Sequence, residues 1–186
     1  MIEPQSKEKM VPRIWTIGHS TREIDSFVLL LEEKGIKLLA DVRSWPGSKR
    51  YPQFNREALA KSLADAGICY EHLPELGGRR KSKPDSRNTA WRNASFRAYA
   101  DHMETEEFQK GIERLLDLAG EGGPAAIMCA EAVWWRCHRS LISDFLKARG
   151  VEVMHILDAN KTEPHRFTSA ARVVDGNLSY SAGSLS

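Results

Sequence analysis

The chain holds 186 residues, 41% hydrophobic and 28% charged, with 27 Lys and Arg against 25 Asp and Glu for a formal net charge of +2. That length fits one domain able to bury a core unaided, and three cysteines, an odd number, do not form a disulfide framework. No apolar stretch approaches the roughly 20 residues that span a bilayer, no secretory leader is visible, and the balanced charge excludes a general polyanion binder, so a cytoplasmic globular protein is expected.

Residues 1–12 are polar and aperiodic and are expected as a flexible lead-in, with 13–186 as a single α/β domain. Ile14-Trp15-Thr16-Ile17 is a β-branched run stopped by Gly18, and Ser20-Thr21-Arg22-Glu23 has the form of a capping box, so a strand should feed a helix. That helix carries Phe27, Leu30 and Leu31 on one stripe and ends near Gly35. A second strand spans Lys37 to Val42, and two prolines and three aromatics between Ser44 and Phe54 predict an irregular loop. Asn55 is placed to cap a helix bearing Leu59 and Leu63, and a third strand covers Ile68 to Leu73 with Cys69 expected in the core. Leu76 to Asn93 is an aperiodic basic insertion.

Helical spacing resumes at Ser95 through Phe96, Tyr99 and Met103, breaks weakly, and continues through Phe108, Ile112 and Leu115. Ala125 to Cys129 is apolar on both faces, as a central parallel strand should be. A helix from about Cys137 or His138 to Arg149 leads to a fifth strand, Val151 to Leu157, and Asp175-Gly176 predicts a hairpin over about 171–180. The alternation of strands and helices predicts a three-layer α/β fold: a mostly parallel sheet of about five strands flanked by helices, plus the C-terminal β-hairpin.

Ligands of such sheets bind outside the carboxyl ends of the strands. The first strand exits into Gly18-His19-Ser20 and the second into Asp41-Val42-Arg43-Ser44. The third exits into His72 and then Leu76-Gly77-Gly78-Arg79, the fourth into Cys129-Ala130-Glu131. Cys137, His138 and Arg139 open a helix, where free N–H groups and the dipole attract anions and lower a thiol pKa. These residues predict an enzyme acting on a small anionic or nucleotide-like substrate. Cys129 or Cys137 would be nucleophile or redox centre, with Glu131 between them; His19 or His138 would move protons; Arg43, Arg79 and Arg139 would hold the anion, with Ser20 and His72 on the same edge. Plainer readings stand beside these: packing thiols, a half-buried His138 on a stripe with Leu141 and Ile142, Ser20 as a helix cap, and Arg43 as ion-pair partner of Asp41 or Glu131. The sequence specifies neither a cofactor nor an oligomeric state.

A phosphatase or rhodanese loop, whose backbone cradles an oxyanion between a cysteine and an arginine, is not matched: six residues separate Cys129 from Arg136 and one separates Cys137 from Arg139. A metal-dependent enzyme would use Cys129, Glu131, Cys137 and His138 as ligands, at a spacing that fits no standard zinc knuckle. A nucleic-acid-associated module would use Arg79, Arg80, Lys81, Lys83, Arg87 and Arg92 with the faces of Trp45, Tyr51, Trp91, Trp134 and Trp135.

Five ordered motifs carry a family resemblance: Thr16-Ile17-Gly18-His19-Ser20; Asp41-Val42-Arg43-Ser44; Gly67-Ile68 with Tyr70 and His72; Leu76-Gly77-Gly78-Arg79; and Met128-Cys129-Ala130-Glu131 with Cys137-His138-Arg139. Over about residues 13–157 they resemble the bacterial and archaeal family called domain of unknown function 488. The resemblance implies a small intracellular protein and puts the cysteines, histidines and arginines above on family motif positions without giving them an activity. The loop Ala132-Val133-Trp134-Trp135-Arg136 is bulkier than the Lys-Asp-Pro-like turn of that family.

Overall fold

Six strands make one sheet in the computed structural model, which describes residues 12–183; residues 1–11 of the expected lead-in lie outside it. In chain order the elements are β1 (Arg13–Gly18), α1 (Ile24–Glu33), β2 (Leu38–Asp41), α2 (Arg56–Asp65), β3 (Cys69–His72), α3 (Ala94–Met103), α4 (Glu106–Gly122), β4 (Ala125–Cys129), α5 (Arg139–Ala148), β5 (Glu152–Asp158), β6 (Lys161–Pro164), β7 (Arg172–Val174) and β8 (Asn177–Ser179). The sheet order is β3-β2-β4-β1-β5-β6, with β6 alone antiparallel, and β7 and β8 form the expected hairpin.

Alternation along the strands divides the core in two. Leu39, Ile17 and Met128 point to one face, where Phe27, Leu31, Leu59 and Leu63 of α1 and α2 cover them. Leu38, Ile14 and Ile127 point to the other, against Tyr99, Phe108, Ile112, Leu115, Leu141 and Ile142 of α3, α4 and α5. The chain therefore winds from β1 through β2 to β3 over one face and returns to β4 and β5 over the other, as right-handed crossovers require. β4 ends between β2 and β1, and its connection leaves toward the face opposite theirs. Such a reversal opens a crevice at the carboxyl edge on both sides of β4.

The structure departs from expectation at several points. Ser20 does not cap α1: the helix starts at Ile24 behind Glu23, without a side-chain cap. Ser20 instead lies at φ 49° while its N–H bonds Ala130 O at 2.9 Å and that of His19 bonds Cys129 O at 3.0 Å, so β1 stays tied to the β4 loop beyond Gly18. Asn55 precedes α2 as expected, but its side-chain oxygen accepts from the N–H of Ser48 rather than capping the helix. The break after Met103 is real, and Thr105 caps α4 through Phe108 N at 3.3 Å. Cys69 is exposed rather than core, because β3 is the sheet edge. Strand β6 was hidden because Lys161-Thr162-Glu163-Pro164 has neither alternation nor apolar content, and a closing proline is tolerated only at an edge.

Candidate functional site

Strand register brings the exits level. Gly18 lies opposite Cys129, Met128 opposite Asp41, and Asp41 opposite His72. Asp41 is fully buried, and Arg43 folds back onto it with Nε donating to Oδ1 at 2.9 Å and Nη2 to Oδ2 at 2.6 Å. Nη2 also donates to Phe54 O at 2.8 Å and Nη1 to His19 Nε2 at 3.2 Å, which leaves one Nη1 N–H without an acceptor among the described residues. Tyr70 donates to Asp41 at 2.7 Å, and His72 donates through Nε2 to Arg43 O at 2.8 Å.

His19 is held in one state by its neighbours. A guanidinium only donates and a carbonyl only accepts, so Nε2 is the acceptor from Arg43 and Nδ1–H donates to Ser20 O at 3.0 Å. Burial, assisted by the charge of Arg43, lowers its pKa to about 4. Its ring stacks on Phe54 with centroids 4.3 Å apart.

The thiols surround a second arginine. Arg139, 1% exposed, donates Nε to Cys129 Sγ at 3.1 Å, Nη1 to Thr16 Oγ1 at 3.2 Å and Nη2 to Glu131 O at 2.6 Å. Its backbone N–H, at the first turn of α5, reaches Cys137 Sγ at 3.4 Å. Gly18 permits the carbonyl contact, since a β-carbon there would overlap Glu131 O and lie 3.0 Å from Nη2. Among the described residues no carboxylate touches this guanidinium. Burying such a charge costs several kcal/mol unless an anion shares the site, and the groups in contact that can become anions are the two thiols.

Cys129 and Cys137 are 2% and 4% exposed. Burial pushes the Cys137 thiol up, but the Cys129 thiol and the guanidinium and N–H of Arg139 outweigh it and bring it to about 7. Cys129 is driven the other way, by burial first and then by Cys137. Two acids in one site part in this manner, the first proton lost making the second harder to remove. His138 donates Nε2–H to Val42 O at 2.9 Å, which turns Nδ1 toward Cys137 Sγ at 3.5 Å. Burial lowers the imidazole pKa, so the ring is a neutral acceptor.

These groups open into a cleft of about 610 Å³ walled by Arg43, Ser44, Trp45, Gly78, Arg79, Ser95, Phe96, Glu131, Arg136, Cys129, Cys137 and His138. The Arg79 backbone N–H is pinned to Ser44 Oγ at 3.1 Å, while the exposed side chains of Arg79 and Arg136 extend beside the cleft. With the exposed Glu131 as the one carboxylate on the wall, the cleft is net positive. A larger groove of about 1110 Å³ lies at the opposite end of the sheet, around Ile14, Pro124 and Val151, and has no thiol or imidazole.

Of the residues singled out from sequence, Arg43, Arg79, Cys129, Glu131, Cys137 and His138 line the cleft, and His19 and Arg139 lie buried behind its wall. Ser20 is in the β1 turn off the wall, and His72 faces a neighbouring groove below Trp45. Among the described residues no three His, Cys, Asp or Glu side chains converge as metal ligands. The set weighed for a metal does not close, because the Glu131 carboxylate is exposed and His138 Nε2 is spent on Val42. Sequence reasoning missed Arg136 and Phe96, and offered Trp45 only as a stacking face of the nucleic-acid alternative. Arg136 had a signal in its place beside Cys137; Phe96 had none, since a helical aromatic reads as core.

Neither the curated proteins nor the solved structures give a match to this chain. A family model does match, over residues 23–146, about two thirds of the chain. The matched span contains Arg43, His72, Arg79, both cleft thiols, His138 and Arg139, and excludes His19. On that match the chain belongs to the family described as Domain of unknown function DUF488.

Proposed function

We propose that the protein is an enzyme that uses a thiolate on a small anionic or nucleotide-like substrate held at the carboxyl edge of the sheet. The observation that carries this reading is Arg139: a buried arginine with no carboxylate on it among the described residues, whose guanidinium donates to Cys129 Sγ and whose backbone N–H donates to Cys137 Sγ. Cys137 is the nucleophile, since it borders the cleft, lies just ahead of α5 and has His138 Nδ1 at 3.5 Å to take its proton. His138, oriented by Val42 O, returns that proton to the leaving group. Arg79, Arg136 and the remaining N–H of Arg43 hold the anion, and the faces of Trp45 and Phe96 suit a base or other flat ring. His19, Asp41 and His72 act by fixing Arg43.

The test is alkylation by iodoacetamide as a function of pH in a Cys69→Ser background, which removes the exposed thiol. The reading expects one thiol with an inflection near 7, lost in Cys137→Ser and slowed by inorganic phosphate or a nucleoside monophosphate. Thiols that react no faster than free cysteine would end it.

One observation favours a nucleic-acid-associated reading: Trp45 is 76% exposed on the rim beside Arg79, with Lys81, Lys83 and Arg87 exposed on the segment that follows. It requires salt-dependent binding of a single-stranded oligonucleotide that weakens in Trp45→Ala. Absence of binding at low salt removes it.

A further inference from the structure

Behind Arg139 runs an unbroken file of buried polar side chains drawn from four separate parts of the chain. Thr16 of β1 meets His155 Nδ1 of β5 at 2.7 Å, and His155 Nε2 meets His165 Nδ1, beyond β6, at 2.9 Å. His165 Nε2 meets Asp144 Oδ1 of α5 at 2.8 Å. All four are at most 2% exposed. Asp144 is further held by the N–H and hydroxyl of Thr168 at 2.9 and 2.6 Å and by Tyr180 OH at 2.9 Å. Trp134, in the loop between β4 and α5, stacks on His155 at 4.3 Å and sets its edge against His165.

One set of directions runs unbroken from end to end. Arg139 donates to Thr16, so the Thr16 hydroxyl proton is free to go to His155 Nδ1. His155 then donates from Nε2 to His165 Nδ1, and His165 donates from Nε2 to the Asp144 carboxylate. Burial lowers the His155 pKa, so that ring is neutral. A cation and an anion that never touch are then joined by a series of hydrogen bonds whose dipoles all point the same way, an arrangement that strengthens each bond in the series.

We propose that Thr16, His155, His165 and Asp144 form a positioning relay that fixes the Arg139 guanidinium against the sulfurs and supplies its distant counter-charge. This rests on the thiolate reading above. A buried arginine bonded only to sulfur and a carbonyl would be free to rotate and costly to keep charged. The relay locks Nη1, which leaves Nε aimed at Cys129 Sγ. While both sulfurs are protonated, Asp144 carries the compensating charge through the chain; when the thiolate forms, it takes over at contact distance. Other ionisable groups face the pair from neighbouring elements: His138 at the cap of α5, Tyr99 of α3, and Arg80 of the insertion, with His19 and His155 facing Arg139. A Thr16 substitution leaves all of these in place except His155, which loses its partner at Nδ1.

The experiment follows thiolate formation by ultraviolet absorbance against pH in the Cys69→Ser protein, with Thr16→Val, Thr16→Ser and His165→Phe compared. Thr16→Val keeps the β-branched shape and deletes both bonds of the hydroxyl. It is expected to raise the inflection by about one unit, so that alkylation below it slows about tenfold, and Thr16→Ser should return it to the starting value. If Thr16→Val does not fold, His165→Phe breaks the file one link further on and should shift the inflection in the same direction. A parent inflection near 7 that neither folded variant moves overturns the relay and leaves the thiolate reading standing. A parent inflection at the ordinary thiol value overturns both.

Discussion

Gly78 lies against the ring of His138 so closely that a β-carbon there would fall 2.5 Å from Nδ1, the nitrogen that faces Cys137. The second glycine of Leu76-Gly77-Gly78-Arg79 therefore makes room for the imidazole. Gly78→Ala is expected to displace the ring from the sulfur, slow alkylation of Cys137 several-fold and lower stability by about 1–3 kcal/mol, as overpacking does. Kinetics and urea unfolding on the same sample read both effects; a variant that alkylates at the parent rate contradicts the Cys137–His138 pair.

Removing the charge of Arg139 should move the thiols and the fold together. Arg139→Met leaves Glu131 O without its 2.6 Å donor, at a cost of about 1–3 kcal/mol for a buried unsatisfied carbonyl. The thiol inflection should rise, since burial is then opposed by the Cys129 thiol and the backbone N–H at 139 alone. Arg139→Lys, a point charge unable to span the same acceptors, is expected between the two. An inflection unchanged in Arg139→Met would show that the sulfurs do not depend on the guanidinium.

Asp41 is the other buried anchor. Asp41→Asn strips Arg43 of its carboxylate while the guanidinium stays 8% exposed, and breaking such a pair costs about 3–5 kcal/mol. The shift should show in the urea midpoint, and a change under about 1 kcal/mol would mean that Phe54 O and His19 suffice to hold Arg43.

The histidines make the fold acid-sensitive. Burial holds His19, His102, His138 and His155 below the ordinary 6.5, with His19 at about 4 and His155 at about 2. Below 6.5 the unfolded chain takes up protons that the folded chain refuses, so stability falls with pH through this window. His19 and His155 each account for about 1.4 kcal/mol per pH unit until their folded values are reached. Cys137, lowered from 9.0 to about 7, contributes stability that is complete above 9.0 and is lost as pH falls through 7. The urea midpoint should therefore climb from pH 5 to pH 8, and a flat profile would contradict these neutral rings.

Arg79 and Arg136 are exposed on the cleft wall. Alanine at either should change stability by no more than about 0.5 kcal/mol, yet weaken phosphate protection of Cys137 several-fold, an effect that fades as salt rises. Protection unaltered in the double variant would remove both from the anion site.

The parallel strands and their carboxyl exits were legible because buried strands are short, apolar and β-branched, and glycines close the helices between them. That the exits converge followed from the fold class alone. Strand order did not, since nothing in Ile14 to Ile17 names Ala125 to Cys129 as its partner. The relay was equally hidden: Thr16 and His155 are single polar residues in apolar strands, Asp144 and His165 lie in a helix and a polar segment, and only the packed sheet puts them in line. Cys69 misled because a thiol in a strand reads as core, and sequence does not reveal which strand stands at the edge. Glu131 has a contact that its side chain could not announce: its carbonyl accepts from Arg139.

The place of β4 between β2 and β1 constrains how the molecule comes into being. A nascent chain that ends before Pro124 can make one pairing of this sheet, β2 with β3, while β1 waits without a neighbour, since its partners are β4 and β5. The arrival of residues 125–129 joins the two halves and in the same movement delivers Cys129 beside Gly18. Such late, long-range pairing slows folding. It also ties the thiol site to assembly: the segment that joins β1 to β2 is the one that carries Cys129.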